Sequence, residues 1–323
     1  MSELALATDT TQASRRRVVA GVLQRPDGTI LLAQRPPGKP YAGYWEFPGG
    51  KIQPQETAIA ALRRELEEEL GIAVETAYPW LTRCHDYEHA AVQILFYRVT
   101  QWCGVAHGRE NQLLVWQRVD AINVAPLLPA NGPILRALGL PAVQGISAAS
   151  RLGVPVFIER LQRALENGLR LVQVREKQMS EQELHDFAAQ VIALAHRHAA
   201  KVVINAAPHT AAILGADGAH LCAGRLRKLT RRPDVALCGA SCHDRAELEH
   251  AQRLGLDYAV LSPVQPTLSH PGEVPLGWPA LGGLIEAYGL PVYALGGMRP
   301  DDLTTAWRHG AHGIAMLGAA WER

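Results

Sequence analysis

The chain lacks a long apolar run. No stretch approaches the ~20 consecutive apolar residues that a membrane-spanning helix needs, so no membrane partner is expected. It lacks a dominant charge: 32 Lys and Arg against 31 Asp and Glu leave a formal net charge of +1, and no basic field to attract duplex nucleic acid. It has little cysteine. The five residues Cys84, Cys103, Cys222, Cys238 and Cys242 form no Cys-x-x-Cys pair, and an odd count suits a reducing, cytoplasmic setting. Cys238 and Cys242 could be taken for a metal pair, but small buried residues at the end of a strand are the preferred reading. Met1 to Arg17 has no apolar segment. It is polar and Thr-rich, reads as neither signal peptide nor anchor, and residues 1–15 are expected to form a flexible N-terminus. There is no internal repeat and no low-complexity segment, and nothing sets an oligomeric state.

What remains is an ordinary globular composition, 48% hydrophobic and 20% charged, over a length of 323 residues that fits about two domains. The halves differ in pattern. In the first, Val18–Leu23 and Ile30–Ala33 read as strands around a Pro26-Asp27-Gly28 turn. Residues 36–44 read as a Pro- and Gly-rich loop. A helix is expected from about Glu56 to Leu70, stopped by Gly71. Val92–Val99 and Val115–Arg118 are further strands, and a short helix within Pro126–Pro141 closes the domain near Gly139. Residues 16–139 therefore form one compact α/β domain with a mixed sheet.

Residues 140–323 alternate. Apolar strand-like runs occur at Ala142–Ser147, Leu169–Arg175, Lys201–Asn205, Gly218–Leu221, Val235–Ala240, Tyr258–Ser262, Pro291–Leu295 and His312–Leu317. Helical stretches separate most of them, such as Phe157-Leu161-Leu165 at i, i+4 spacing and Leu184–His198. Eight strands so arranged predict a compact (β/α)8 TIM-like barrel.

Between Gly50 and Ile72 the chain crowds Glu65, Glu68 and Glu69 onto one helix face and sets Glu56 in the preceding loop. Like charges on one face repel, and a hard divalent cation held by carboxylate oxygens is the simplest compensation. A solvated Glu-rich surface face is the plain alternative. The order of residues argues against it: Gly50, Glu56, Arg64, Glu65, Leu66, Glu68, Glu69, Gly71 and Ile72 fill every fixed slot of one 23-residue pattern. This resembles the Nudix box, without departure. The resemblance implies an α/β/α sandwich that hydrolyses a nucleoside diphosphate linked to another moiety, with magnesium or manganese as cofactor. It implies metal ligation by Glu65, Glu68 and Glu69, with Glu65 and Glu69 catalytic, and Arg64 bracing Glu56. The Gly49 carbonyl is a further candidate ligand, since glycine lets backbone approach an ion closely.

Around the box stand Trp45-Glu46-Phe47-Pro48-Gly49-Gly50-Lys51, Leu128-Pro129-Ala130-Asn131-Gly132-Pro133, Arg35 and Glu110. Over about residues 16–138 these resemble MutT-type 8-oxo-dGTP diphosphatases. The implied substrate is a nucleoside triphosphate, 8-oxo-dGTP, converted to the monophosphate and pyrophosphate. The implied binding residues are Arg35, Glu46, Phe47, Lys51 and Asn131, and Glu110 is a metal ligand or the general base in place of Glu65. Chemistry supports Asn131: guanine N7 accepts, 8-oxoguanine N7–H donates, and an asparagine amide offers a donor to O6 and an acceptor to N7–H. As bland alternatives, Asn131 is a turn residue, Phe47 a core residue and Glu110 a solvated carboxylate.

In the second half, Val172-Gln173-Val174-Arg175-Glu176-Lys177, Asp217-Gly218-Ala219-His220-Leu221, Gly239-Ala240-Ser241-Cys242-His243, Ser262-Pro263-Val264-Gln265-Pro266-Thr267 and Leu295-Gly296-Gly297 follow in order. Together they resemble thiamine-phosphate synthase and its TenI-type relatives, which implies a phosphate or ligand site at Gln173, Arg175, Lys177, Gly296 and Gly297. Two departures stand out. The family's Asn-Asp is Asn205-Ala206 here, and Cys222-Ala223-Gly224-Arg225 follows His220-Leu221 where an acidic residue belongs. The family's lysine after the Pro-Thr loop is His270. Without those carboxylates magnesium has little to bind, so a barrel without synthase activity is expected, as a phosphate-binding mouth or as a scaffold. Other readings are a hydrolase of another pyrophosphate, such as damaged thiamine diphosphate, and a barrel-based thiamine-phosphate sensor.

Overall fold

A computed structural model of the chain describes residues 15–267, 272 and 274–322. The flexible stretch expected at residues 1–15 lies outside the described residues apart from Arg15, whose guanidinium pairs with Asp86. His270 also lies outside them. The chain divides into two units after Ile134, a few residues before the boundary expected at Gly139.

The first unit holds two three-stranded sheets. In one, β1 (Arg16–Leu23) runs parallel to β5 (Ala90–Cys103), and β5 pairs antiparallel with β4 (Ala73–Tyr87). In the other, β2 (Thr29–Gln34) lies antiparallel between β3 (Trp45–Glu46) and β6 (Leu114–Arg118). β4 was not expected from sequence. Pro79 and polar residues break its alternation, and its register against β5 shifts between Val74 and Ala77 and between Pro79 and Thr82.

Helix α1 (Ala58–Leu70) starts after the Thr57 cap, whose hydroxyl accepts from the Ala60 amide, and ends on Gly71 at φ 69°. Its i, i+4 stripe Leu62, Leu66 and Leu70 is wholly buried against Val19, Leu23, Leu31 and Val99. Burying each such side chain stabilises by roughly 1.5–3 kcal/mol, which fixes the opposite, acidic edge of α1 relative to β1. Helix α2 (Asn131–Leu138) follows β6.

The second unit is the expected closed parallel barrel. Its strands are β7 (Val143–Ile146), β8 (Leu171–Val174), β9 (Lys201–Ile204), β10 (Gly218–Leu221), β11 (Leu237–Cys242), β12 (Tyr258–Leu261), β13 (Val292–Leu295) and β14 (Gly313–Met316), and β14 closes on β7. Between β7 and β8 come the short α3 (Ala149–Leu152) and then α4 (Val154–Glu166), which buries Phe157, Leu161 and Leu165. After β8 comes α5 (Glu181–Arg197), entered through a capping box of Ser180 and Glu183. Cys238 and Cys242 are buried on β11, and burial pushes both thiols up to about 12, as ordinary core residues. Among the described residues no helix is long and apolar enough to cross a membrane.

The barrel interior is not wholly apolar. Among Ile146, Leu171, Val203, Val260 and Tyr293 runs a polar chain. Gln144 Nε2 donates to the Tyr258 hydroxyl at 3.3 Å, which lies 3.2 Å from His220 Nδ1, and His220 Nε2 lies 2.9 Å from Ser241 Oγ. Gly239 makes room for it, since a Cβ there would stand 2.0 Å from the Tyr258 ring.

His220 is 1% exposed, and burial, joined by the charge of Arg175, pushes its pKa down to about 3. An unfolded histidine titrates near 6.5. Below that pH the unfolded chain binds a proton that the folded barrel refuses. The contribution of neutral His220 is therefore whole above about pH 6.5 and is lost as pH falls toward about 3, at up to about 1.4 kcal/mol per pH unit. Urea unfolding from about pH 7.5 to about pH 4.5 should show a shallower loss of stability for His220→Gln than for the parent, and parallel curves would contradict this.

Candidate active site

The acidic edge of α1 is organised by one cation. Arg64 donates from Nε and one terminal nitrogen to the two oxygens of Glu56, both at 3.0 Å, and the latter nitrogen also reaches the Lys51 carbonyl at 3.0 Å. Its other terminal nitrogen donates to Glu65 at 2.9 Å and Glu68 at 3.2 Å. The sequence reading assigned the compensation of like charges to a metal; the structure shows Arg64 performing much of it. The Glu56 hydrogen bond, followed by the charges of Glu65 and Glu56, holds the guanidinium above its ordinary value despite partial burial, and the same pair holds the Glu56 carboxyl below its own.

Glu69 is placed differently. The Gly49 amide donates to its Oε2 at 3.1 Å. Burial pushes its carboxyl up to about 7, the charges of Glu46 and Glu110 push the same way, and the Gly49 hydrogen bond and Lys39 oppose them. Two glycines let these carboxylates close on the β3–α1 loop. At Gly49 (φ 148°) a Cβ would lie 2.2 Å from the Val19 carbonyl oxygen, and at Gly50 it would lie 2.2 Å from Glu65 Oε2.

A second set of charges flanks Glu69. Arg35 donates to both Glu46 oxygens at 2.7 Å and to the Pro40 carbonyl. Lys39 pairs with Glu110 at 2.6 Å. Arg35, Glu46, Glu69 and Glu110 thus gather at one place. Lys39 was missed by the sequence reading, because nothing in Pro36-Pro37-Gly38-Lys39-Pro40 reports that the loop folds toward an acid. Lys51, expected at the substrate, is exposed and contributes its carbonyl to Arg64.

Phe47 is 3% exposed and meets Phe96 edge-on, with ring centroids 6.0 Å apart. Asn131 is 4% exposed at the start of α2, its amide 3.4 Å from the Trp45 carbonyl oxygen. That oxygen already accepts from the Leu128 amide at 2.9 Å. Beside them Tyr41 packs against Tyr44, Tyr87 and His89. Burial pushes the Tyr87 phenol up, with the Ala130 backbone, Glu46 and Arg35 as neighbours. This aromatic wall was also missed, since the β4–β5 hairpin that presents Tyr87 and His89 was not read.

As donors, Glu65, Glu68, Glu69 and Glu110 are hard carboxylate oxygens suited to a magnesium or manganese ion. Among the described residues no three acidic, histidine or cysteine side chains converge as a closed metal shell. Arg64 holds Glu65 and Glu68, while Gly49 holds Glu69.

In the second unit the loops after the strands surround a cavity of about 820 Å3. Gln173, Arg175, Lys177, Gly296 and Gly297 all line it, with Arg225 and His243 among their neighbours. At Gly297 (φ 69°) a Cβ would stand 2.6 Å from the Pro266 carbonyl oxygen, so a side chain is excluded.

Comparison with known proteins reaches both units. Residues 14–138 match the family model described as NUDIX domain, and residues 146–320 match that described as thiamine monophosphate synthase. Over 122 residues the chain is 37% identical to a protein of Haemophilus influenzae named 8-oxo-dGTP diphosphatase, covering 38% of this chain and 90% of that one. Over 120 residues it is 39% identical to one of Escherichia coli named CTP pyrophosphohydrolase, covering 37% and 88%. Over 185 residues it is 34% identical to one of Aquifex aeolicus named, provisionally, thiamine-phosphate synthase 2, covering 55% and 96%.

The two glycines should respond differently to a methyl group. Gly49→Ala drives a Cβ into backbone at a φ that side chains rarely adopt, and should cost about 3 kcal/mol or more. Gly50→Ala meets only the movable end of Glu65 and should stay within about 1 kcal/mol of the parent. Thermal unfolding checks this; equal losses would show that the loop, not the clash, sets the cost.

Proposed function

The chain belongs to two families, Nudix through its first unit and thiamine monophosphate synthase through its second, and from that premise we propose that the first unit is an 8-oxo-dGTP diphosphatase. It is a pyrophosphohydrolase whose products here are 8-oxo-dGMP and pyrophosphate, which would keep an oxidised, mispairing precursor out of the nucleotide pool. The five free thiols suit a cytoplasmic enzyme. The second unit, with Ala206 after Asn205 and no acidic residue in Cys222-Ala223-Gly224-Arg225, is proposed to have no synthase activity.

One observation carries the choice of base. Asn131 is buried beside Trp45 and Phe47, yet its amide makes only a 3.4 Å contact to a carbonyl that Leu128 already satisfies. Turning that amide toward a purine therefore costs little. It donates to O6 and accepts from the N7–H of 8-oxoguanine, whereas guanine would set its carbonyl against a lone pair. Buried polar groups left unpaired are what reject a near-isostere.

Glu65, Glu68 and Glu69, with the Gly49 carbonyl and Glu110, would hold magnesium or manganese, which when bound neutralises phosphate charge and acidifies a bound water. Arg64 keeps its fork on Glu56 when Glu65 and Glu68 turn away, so releasing them leaves no guanidinium unpaired. The Gly49 amide orients Glu69. Arg35 and Lys39 bring positive charge to the phosphates. Glu110 is paired with Lys39 and Glu65 with Arg64, and Glu65, which Arg64 can release while keeping Glu56, is the proposed acceptor of the attacking water's proton.

Purified protein with magnesium should hydrolyse 8-oxo-dGTP at least about a hundredfold faster than dGTP, in a panel that also holds CTP and thiamine diphosphate. Equal rates on 8-oxo-dGTP and dGTP, or a preference for CTP, would sink the reading. Glu69→Gln should lower kcat by about a hundredfold or more while the fold, followed by circular dichroism, is kept; retained activity would contradict its ligand role. Asn131→Ala should lower the 8-oxo-dGTP to dGTP ratio by about tenfold or more, and an unchanged ratio would remove Asn131 from base reading.

A further inference from the structure

The mouth of the barrel is where the second family's resemblance implies a magnesium-bound diphosphate, and the residues there do not fit that ion. On the loops after β9 and β10 the lining is Asn205, Cys222, Ala223, Gly224 and Arg225, with no carboxylate. Two glutamates line the rest. Glu176 is 7% exposed and spends its oxygens on the Ala149 amide at 2.8 Å and the Ser150 amide at 2.9 Å. That leaves Glu322, and a single carboxylate is a poor ligand set for an ion that demands octahedral oxygen coordination.

Five permanent cations line the same cavity, Arg151, Arg175, Lys177, Arg225 and Arg299. Among the described residues none of the five forms an ion pair. Five like charges are brought together with two carboxylates in the lining, Glu176, which is tied to backbone amides, and Glu322, in a concave space large enough for a small organic phosphate.

The floor adds an oriented donor. Gln144 Nε2 can only donate, so the Tyr258 oxygen accepts from it and the single phenolic proton goes to His220 Nδ1. Neutral His220 then carries its proton on Nε2 and donates to Ser241 Oγ at 2.9 Å. The Ser241 hydroxyl proton is left to donate into the cavity, which both His220 and Ser241 line. Burial keeps His220 uncharged and so keeps this order of donors.

We propose that the barrel mouth is a metal-independent receptor for a diphosphate or phosphate-ester anion, with Arg225 and its cationic neighbours carrying the charge that a magnesium ion would otherwise carry. The receptor is independent of the hydrolase reading, since it uses none of the residues of the first unit.

Isothermal titration of the full chain in EDTA tests this, with inorganic pyrophosphate and thiamine monophosphate as probes. One or both should bind without metal, and the stronger of the two identifies the source of the anion. Arg225→Ala should weaken that binding at least about tenfold and Arg225→Lys should recover part of it, because charge is kept and the fork lost. Arg299→Ala, exposed on a separate loop, should weaken it independently. Arg227→Ala removes the pair with Glu247 outside the mouth and should leave affinity unchanged. Binding of neither probe in EDTA, binding that needs magnesium, or affinity unmoved by both Arg225→Ala and Arg299→Ala would overturn the proposal.

Discussion

Glu56, Glu65 and Glu68 all meet one guanidinium at and before α1, and the first unit is arranged around their mutual repulsion. Arg64 is the main answer. Its guanidinium faces Glu56, Glu65 and Glu68 together, using the fixed fork geometry that an ammonium cannot reproduce. Two further features make the arrangement possible. The Leu62-Leu66-Leu70 stripe, wholly buried, holds the helix down while its other edge repels itself. Gly49 and Gly50 lack the Cβ atoms that would occupy the space of the Val19 carbonyl and of the Glu65 carboxylate. Glu69 makes no hydrogen bond to Arg64, and burial pushes its carboxyl up to about 7, which the Gly49 amide hydrogen bond offsets only in part.

The receptor proposed for the second unit would meet phosphate by the opposite arrangement of charge. Its mouth gathers arginine and lysine around a cavity that Gly296 and Gly297 help to line, and the buried Glu176 in that lining spends its oxygens on the backbone amides that open α3. A metal bridge and a cluster of cations both neutralise phosphate oxygens, but they differ in what they can catalyse. A bridging ion also acidifies water and stabilises a leaving group, whereas fixed guanidinium groups bind and orient. Under the two proposals, the acidic edge of α1 therefore has the chemistry of turnover, and the barrel mouth that of recognition.

All eight barrel strands could be read from the sequence because each is a short apolar run, buried on both faces, that needs no partner to be recognised. The same holds for Phe157-Leu161-Leu165 and for the acidic spacing of α1. What escaped depends on pairing at a distance. β4 is polar, carries Pro79 and slips register, so only its ladder with β5 makes it a strand. Tyr87 and His89 reach the site on that hairpin, and Lys39 reaches Glu110 across 71 residues of chain. The Gln144–Tyr258–His220–Ser241 chain joins four different strands, and nothing local to any of them announces it.

Under the proposed reading, the choice among nucleotides rests with residues outside the box. The chain is 37% identical to a protein named for 8-oxo-dGTP and 39% identical to one named for CTP, so identity alone does not choose between the two bases. A ring fitted against Phe47 and the Tyr41–Tyr87–His89 wall would be discriminated by shape, which in apolar pockets is worth roughly 1–3 kcal/mol. A buried amide is a stronger filter, because a base that leaves it unpaired forfeits about 1–3 kcal/mol for each lost partner and gains nothing in exchange. A cytosine ring lacks the O6 and N7–H pair and would leave the Asn131 amide without its matched partners. Under the proposed reading, then, base selection is a property of the β3 loop, the β4–β5 hairpin and the first residue of α2, acting together on a catalytic edge that does not itself distinguish bases.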